Sequence, residues 1–214
     1  MFLETMLNLI YPNVCGICDK ICKENLCKKC ELKLQEHVIN NVIVNNNKYF
    51  DNLISIFKYE GIVREKIIEY KFGEKAYLYK TFARIMLKSE KAYGILKNYD
   101  IIIPVPIHKK RKLQRGYNQT ELIAREIAKN INVTLQTNVL IKTKNTEVQS
   151  LLTKRQRSQN VKNAYNTRNT ERIKDKKIIL FDDIYTTGST VRECSKTLKK
   201  AGAKEILVLT VAKD

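Results

Sequence analysis

Residues 178–194 read IILFDDIYTTGSTVREC, and two adjacent carboxylates stand there beside a run of small hydroxylated residues. Ile178 to Phe181 is a continuous apolar run, rich in β-branched residues and ended abruptly by charge, as a buried parallel strand reads. After it the period changes. Val191, Cys194, Leu198 and Ala201 recur at helical spacing, and Gly202 stands where a helix C-terminus favours glycine. Thr186 to Thr190 is therefore expected between the carboxyl end of a strand and the first turn of a helix.

The first N–H groups of a helix lack intrahelical partners, and the aligned peptide dipoles add partial positive charge, so a phosphate is held well there. Gly188 lets a ligand approach the backbone, while Thr186, Thr187, Ser189 and Thr190 add hydroxyl donors. Asp182 and Asp183 would repel a phosphate unless they face another part of the ligand, and their oxygens suit sugar hydroxyls. A sugar phosphate fits both halves of the stretch. An ordinary strand, turn and helix N-terminus, with the acids solvated, is the competing reading. A P-loop is excluded, since neither G-x-x-x-x-G-K-[ST] nor G-x-G-x-x-G occurs in the chain.

The 214 residues suffice for one core, or one core and a small module. No apolar run approaches the roughly 20 residues of a membrane span, and MFLETMLNLIYPN lacks the basic start of a signal peptide, so a cytoplasmic protein is expected. Lys and Arg number 40 against 22 acids, a net charge of +18. Met1 to His37 is balanced, with five Lys and five acids, whereas Lys142 to Lys177 holds eleven basic residues and three acids. A polyanionic partner, such as nucleic acid or a pyrophosphorylated ligand, accounts for that surplus, and a solvated basic surface is the alternative.

Five of the six cysteines lie in CGICDKICKENLCKKC, Cys15 to Cys30. Cys15/Cys18 and Cys27/Cys30 form two C-x-x-C pairs, each able to give two thiolates to one tetrahedral ion, so a four-cysteine structural zinc site is expected over disulfides. Cys22 is a surplus thiol and His37 a weak ligand candidate. So short a module has no core of its own, and the metal supplies its folding energy. The Asn-rich stretch Ile39 to Tyr49 reads as a linker, giving a zinc-binding module over 1–40 and a second domain over 41–214.

In that domain, strands are expected at Ile54 to Tyr59, Ile101 to Ile103, Val139 to Ile141 and Ile206 to Val211. Helical stretches run over GIVREKIIEYKF, over Tyr77 to Leu96 and around Leu122 to Ile131. Alternating strands and helices indicate an α/β fold with a parallel sheet, whose ligands bind beyond the carboxyl ends of the strands. Both the Thr186 loop and the loop after Ile103, with Pro104 and Pro106, lie at such ends.

LFDDIYTTGST, Leu180 to Thr190, resembles the phosphoribosyl pyrophosphate (PRPP) motif of type I phosphoribosyltransferases. PVPIHKKRKLQRGYNQ, with KYEG and EYKFGE upstream and QSLLTKRQRSQNVKNAY between the two loops, resembles more narrowly the ComF family of competence proteins, as do the paired cysteines. The resemblance implies a type I phosphoribosyltransferase-like core. It implies that Asp182 and Asp183 hold ribose hydroxyls, that Thr186, Thr187, Gly188, Ser189 and Thr190 hold the 5′-phosphate, and that Val105, Pro106, Ile107 and His108 approach a Mg²⁺-bridged pyrophosphate. Lys71, Arg111, Arg115, Asn118, Gln119, Gln149, Arg155 and Asn160 match the family signature. The metal ligands would be Cys15, Cys18, Cys27 and Cys30.

Displacing pyrophosphate from C1 of a ribose leaves positive charge on the sugar and negative charge on the leaving group, which Mg²⁺, Lys and Arg stabilise. No residues announce a pocket for an acceptor base. The expected role is DNA uptake or processing, with PRPP, single-stranded DNA and a competence helicase as partners, in the cytoplasm or at the inner face of the membrane through those partners. A phosphoribosyltransferase of nucleotide salvage or base modification is the alternative.

Overall fold

The computed structural model describes residues 13–44, 48–73, 75–146 and 153–214. Gln149 lies outside the described residues. Helix α1 (Lys28–Gln35) leads into strand β1 (Val38–Val44), then β2 (Asn52–Lys58), α2 (Gly61–Phe72), α3 (Leu78–Lys88), α4 (Glu90–Leu96) and β3 (Ile101–Pro104). There follow α5 (Lys109–Arg115), α6 (Gln119–Ile131), β4 (Thr134–Leu135), β5 (Leu140–Lys142), α7 (Lys154–Val161), β6 (Tyr165–Thr167), β7 (Lys177–Tyr185), α8 (Ser189–Lys200) and β8 (Glu205–Lys213).

The main sheet has six strands in the order β1-β2-β8-β7-β3-β4, all parallel except the antiparallel edge pair β1 and β2. Both faces are covered, which is why its central strands read as unbroken apolar runs. Along β7, Ile179 and Phe181 pack into one core with α2, α3, α4 and α6. Ile178 and Leu180 pack into the other, with Val191, Cys194 and Leu198 of α8. Each strand alternates in this way because successive side chains point to opposite faces.

Four sequence expectations are corrected. The strand expected to end at Phe181 continues to Tyr185, because β8 offers an equally long ladder, with Asp182 beside Thr210 and Tyr185 beside Lys213. The segment read as a linker contains β1, which pairs with β2 from Val44↔Asn52 to Val38↔Phe57 and crosses the 40/41 boundary. Asn disfavours strands, but an edge strand needs a partner on one side only. The long amphipathic stretch is two helices, broken at Ser89, whose Oγ accepts a hydrogen bond from the Ala92 amide (3.3 Å) and caps α4. The strand expected at Val139 to Ile141 is β5, which leaves the main sheet and forms a two-stranded antiparallel ribbon with β6.

The cysteine-rich segment packs into the first core rather than standing apart, since Cys15, Ile17, Leu26, Cys30 and Leu34 are buried in it with residues of α2 and α3. Thr81 of α3 donates to the Asn25 carbonyl (2.8 Å), Tyr77 and Lys75 both donate to Asp19 (2.8 and 3.2 Å), and Arg84 and Lys88 pair with Glu24 and Glu31. The backbone of Gly16 lies so close to α3 that a Cβ there would stand 2.3 Å from Thr81 Oγ1 and 2.7 Å from Leu78 Cδ2. Gly16→Ala is therefore expected to destabilise the fold by about 1–3 kcal/mol, measured as a lowered denaturation midpoint with an unchanged slope.

Candidate functional site

A cavity of about 490 Å³ opens at the carboxyl ends of the sheet, between the β3 loop, the end of β7, α2, α5 and the start of α8. Its floor is the end of β7. Asp182 and Asp183 occupy consecutive strand positions and so face opposite sides of the sheet. Asp183 faces the α2 side, where Lys71 Nζ lies 2.9 Å from Oδ1 and Gln119 Nε2 donates to Oδ2 at 3.0 Å. Arg115 in turn donates to Gln119 Oε1, and Tyr70 donates to the Gln119 carbonyl (2.8 Å), so a packed network fixes that carboxylate. Asp182 faces the α8 side, where its Oδ1 accepts the Asp183 amide (2.9 Å). Burial, and then the neighbouring Asp183 carboxylate, push Asp182 up to about 7.

Beyond Tyr185 the chain turns through Thr186 and Thr187 into α8. Gly188 precedes that helix at φ +71°, and a Cβ on it would meet Tyr185 Oη at 2.6 Å. Glycine is required there by conformation and by space. The first turn of the twelve-residue α8 lies at the cavity edge, where Thr186, Gly188, Ser189 and Thr190 line it. Arg157 of α7 donates to Thr186 Oγ1 (3.2 Å), while Thr187 Oγ1 meets Ser189 Oγ at 2.9 Å and does not line the cavity. Helix α7 reaches this point from a capping box in which Gln156 Oε1 accepts the Thr153 amide at 2.9 Å.

The opposite wall is the loop after β3. Val105 continues the pairing, its amide donating to the Phe181 carbonyl (2.8 Å). Its own carbonyl accepts from Asn118 Nδ2 (3.2 Å) and Thr120 Oγ1 (2.7 Å). Asn118 is thus a brace of the loop, whereas Gln119 beside it serves Asp183. Val105, Pro106 and Ile107 line the cavity. His108 does not, because its Nδ1 caps α5 by accepting the Lys110 amide (3.4 Å). Arg111 and Arg115 project from α5 into the cavity. Arg155 is exposed, and neither it nor Asn160 lines the cavity.

Several lining residues were not singled out in the sequence. Arg64, Ile68, Lys71 and Phe72 share one face of α2, and of these only Lys71 and Phe72 lie in a recognised string, EYKFGE. Lys142 and Tyr165 are brought in by the ribbon β5–β6, whose place above α8 is a tertiary fact. Burial, and then Arg111, lower Lys142 to about 8.

The four thiols of Cys15, Cys18, Cys27 and Cys30 all lie within 4.8 Å of one another. Cys18 and Cys27 are 3.9 Å apart, far beyond the roughly 2 Å of a disulfide and close to the roughly 3.8 Å between two sulfurs on one tetrahedral zinc. All the cysteines are free. Against the effect of burial, the amides of Cys27, Cys18 and Ile17 lower the Cys15 thiol to about 7, while burial and the neighbouring thiols raise that of Cys30. Four crowded thiols of this kind could hold a metal ion such as zinc, which neutralises the thiolates together. Cys22 stands outside the cluster.

Residues 118–214 match the family of the phosphoribosyl transferase domain, the class that the parallel sheet and its carboxyl-end cavity also indicate. The chain is 30% identical over 215 residues to Competence protein F of Haemophilus influenzae, covering 97% of this chain and 93% of that one. It is 31% identical over 168 residues to Competence protein ComFC of Streptococcus pneumoniae (74% and 67% covered), and 25% identical over 209 residues to DNA utilization protein YhgH of Escherichia coli K12 (94% and 91%). The chain belongs to the ComF family of competence proteins. Among solved structures it is similar to the glutamine PRPP amidotransferase of B. subtilis, at 20% identity and a TM-score of 0.44 over 67% of this chain and 30% of that one. Among the described residues no helix is long and apolar enough to cross a membrane.

Because Asp182 is raised to about 7 in the folded protein, against roughly 3.9 for a free aspartate, the folded state holds its proton more tightly than the unfolded state does. Its contribution to stability is therefore lost as pH rises from about 4 through 7. Asp182→Asn is expected to unfold at higher temperature than the wild type at pH 8, with the gap closing toward pH 4, as followed by thermal melts across that range.

Proposed function

We propose that the cavity binds PRPP as its Mg²⁺ complex. One observation carries the reading: a helix N-terminus preceded by an obligatory glycine, a strand-borne pair of carboxylates and several cationic side chains all converge on one cavity of about 490 Å³. Thr186, Gly188, Ser189 and Thr190 receive the 5′-phosphate, with Thr187 orienting Ser189 from behind. Asp182 and Asp183 take the ribose hydroxyls, and Val105, Pro106 and Ile107 approach the pyrophosphate, with Arg111 supplying charge beside them. Lys71, Gln119 and Arg115 position Asp183, Asn118 supports the Val105 loop, and His108 sets the start of α5. For this residue set, phosphoribosyl transfer would rest on electrostatic stabilisation of the departing pyrophosphate, with no protein nucleophile.

The biological role that best fits the family is DNA uptake or processing in the cytoplasm, with single-stranded DNA and a competence helicase as partners, at the inner face of the membrane through them. The names of the relatives, competence protein and DNA utilization protein, support this reading. So does the basic surface: α5 holds Lys109, Lys110, Arg111, Lys112 and Arg115 without an acid, and Arg155 and Lys162 are exposed at α7. A phosphoribosyltransferase of salvage or base modification is the second reading, favoured by the complete set of donor-binding residue types. The four-cysteine cluster serves as a structural zinc centre, since α3 packs against its loops and Cys15 and Cys30 are buried in the first core.

Calorimetric titration with PRPP and Mg²⁺ is expected to give binding that Asp182→Asn/Asp183→Asn abolishes; an unaffected variant would refute the assignment of the carboxylates. For the DNA reading, Arg155→Glu and Lys162→Glu are expected to weaken single-stranded DNA binding and to reduce the slope of log affinity against log salt by about 0.7 per lost phosphate contact. At the cysteines, serine substitution of Cys15, Cys18, Cys27 or Cys30 is expected to remove stoichiometric zinc and lower the melting temperature, while Cys22→Ser retains both, as read by metal analysis and thermal melts.

A further inference from the structure

Helix α5 buries none of its seven residues. Polar ties hold it instead. His108 Nδ1 accepts the Lys110 amide at its start, Gly116 at φ +82° donates its amide to the Lys112 carbonyl (2.8 Å) at its end, and Arg111 reaches the Thr146 carbonyl (3.3 Å). Five of the seven residues are cationic, and among the described residues only Lys112 of these has a carboxylate partner, Glu121 at 3.3 Å. Like charges three and four residues apart destabilise a helix, so a bound polyanion would relieve α5 of its own repulsion.

The helix has two differently equipped sides. Arg111 and Arg115, four residues apart, line the cavity. Leu113 follows Lys110 and Lys109 by three and four residues, so these three share another side, and none of them lines the cavity. Leu113 is 84% exposed, and Phe72 at the end of α2 is 65% exposed. A lone exposed leucine is ordinary, but here α5 is tied to an exposed aromatic ring. Arg115 Cζ stands 5.3 Å from the centre of the Phe72 ring, and the same guanidinium donates to Gln119 Oε1 behind it. Guanidinium and ring thus form a stack that is anchored at the Arg115 end and open to solvent at the phenyl end.

An open ring beside unpaired lysines suits a ligand with planar faces and repeated negative charge. A single nucleic-acid strand has both, whereas a duplex keeps its base faces covered by their neighbours. A bilayer surface would need a continuous apolar face, and α5 offers one leucine among five cations. We propose that α5 and Phe72 form a platform for single-stranded DNA at the rim of the cavity, with unpaired bases against Phe72 and Leu113 and phosphates on Lys109 and Lys110. The platform rests on the single-stranded DNA reading given above and goes beyond it: it adds contacts to the bases, which Arg155 and Lys162 do not provide.

The test is fluorescence anisotropy of the full, zinc-loaded chain with a thymidine oligonucleotide and an abasic oligonucleotide of equal length, over a range of salt. The wild type is expected to prefer the base-bearing strand by about tenfold, the scale of one or two stacked bases. Phe72→Ala and Leu113→Ala are expected to reduce that preference without changing the salt slope, and Phe72→Trp to retain it. Both positions are exposed, so thermal melts should show folded variants. Lys109→Gln/Lys110→Gln is expected to weaken both strands alike and to lower the salt slope by about 0.7 per lost phosphate contact. Equal wild-type affinity for the two strands, or a preference untouched by Phe72→Ala and Leu113→Ala, overturns the platform. If Arg155→Glu and Lys162→Glu weaken binding in that case, the single-stranded DNA reading survives without it. Failure of the wild type to bind either strand refutes both. Binding to phosphatidylglycerol vesicles that Phe72→Ala and Leu113→Ala abolish, with DNA binding intact, would assign the surface to lipid and overturn the proposal.

Discussion

Consecutive residues of a β-strand face opposite sides of their sheet, and the site depends on that constraint acting at Asp182 and Asp183. Were the strand to end at Phe181, the two carboxylates would sit in a turn and could converge. Because β7 continues to Tyr185 along β8, one carboxylate belongs to the helical layer of α2 and α6 and the other to the layer of α8. Their environments diverge accordingly. Lys71 and Gln119 satisfy Asp183, while Asp182 keeps a raised proton affinity next to the ribbon. A ligand that uses both must lie across the strand end, astride the sheet.

The cavity's cations are distributed along the same axis. Arg157 stands at the α8 end, Arg111 on α5 beside the β3 loop, Lys142 on the ribbon over Tyr165, and Lys71 and Arg115 are committed to the support of Asp183 and Gln119. The signature residues thus have different physical roles, although they read alike in the sequence. Gln119 reaches the floor of the site, whereas its neighbour Asn118 holds a loop carbonyl. Alternation at the start of α6 explains the split.

The cysteine cluster is continuous with the main core. Its loops rest on α3 at Gly16 and Asn25, and acids at Asp19, Glu24 and Glu31 meet bases of the helical layer. A metal held there would stabilise α3 and, through Lys75 and Glu69, the C-terminal turn of α2 that also carries Lys71. The short spacing between the two C-x-x-C pairs suits a ribbon that leans on a neighbour instead of enclosing a core of its own.

The strings LFDDIYTTGST, RGYNQ and the paired C-x-x-C were legible because each depends on local chemistry: a strand-to-helix phosphate turn, a family signature and a chelating spacing. The α/β class, the strand-end location of the cavity and the four-cysteine cluster followed from them. The ribbon β5–β6, the strand β1 in the Asn-rich stretch and the length of β7 did not, since each is stabilised by partners distant in the chain. By itself the sequence determined which residue types could bind a sugar phosphate and a metal. Only the tertiary structure decided that His108 and Arg155 stay out of the cavity, and that Lys142 enters it. The reason is physical: local pattern governs backbone conformation and which face is apolar, but the charges that meet across a cavity are selected by long-range packing.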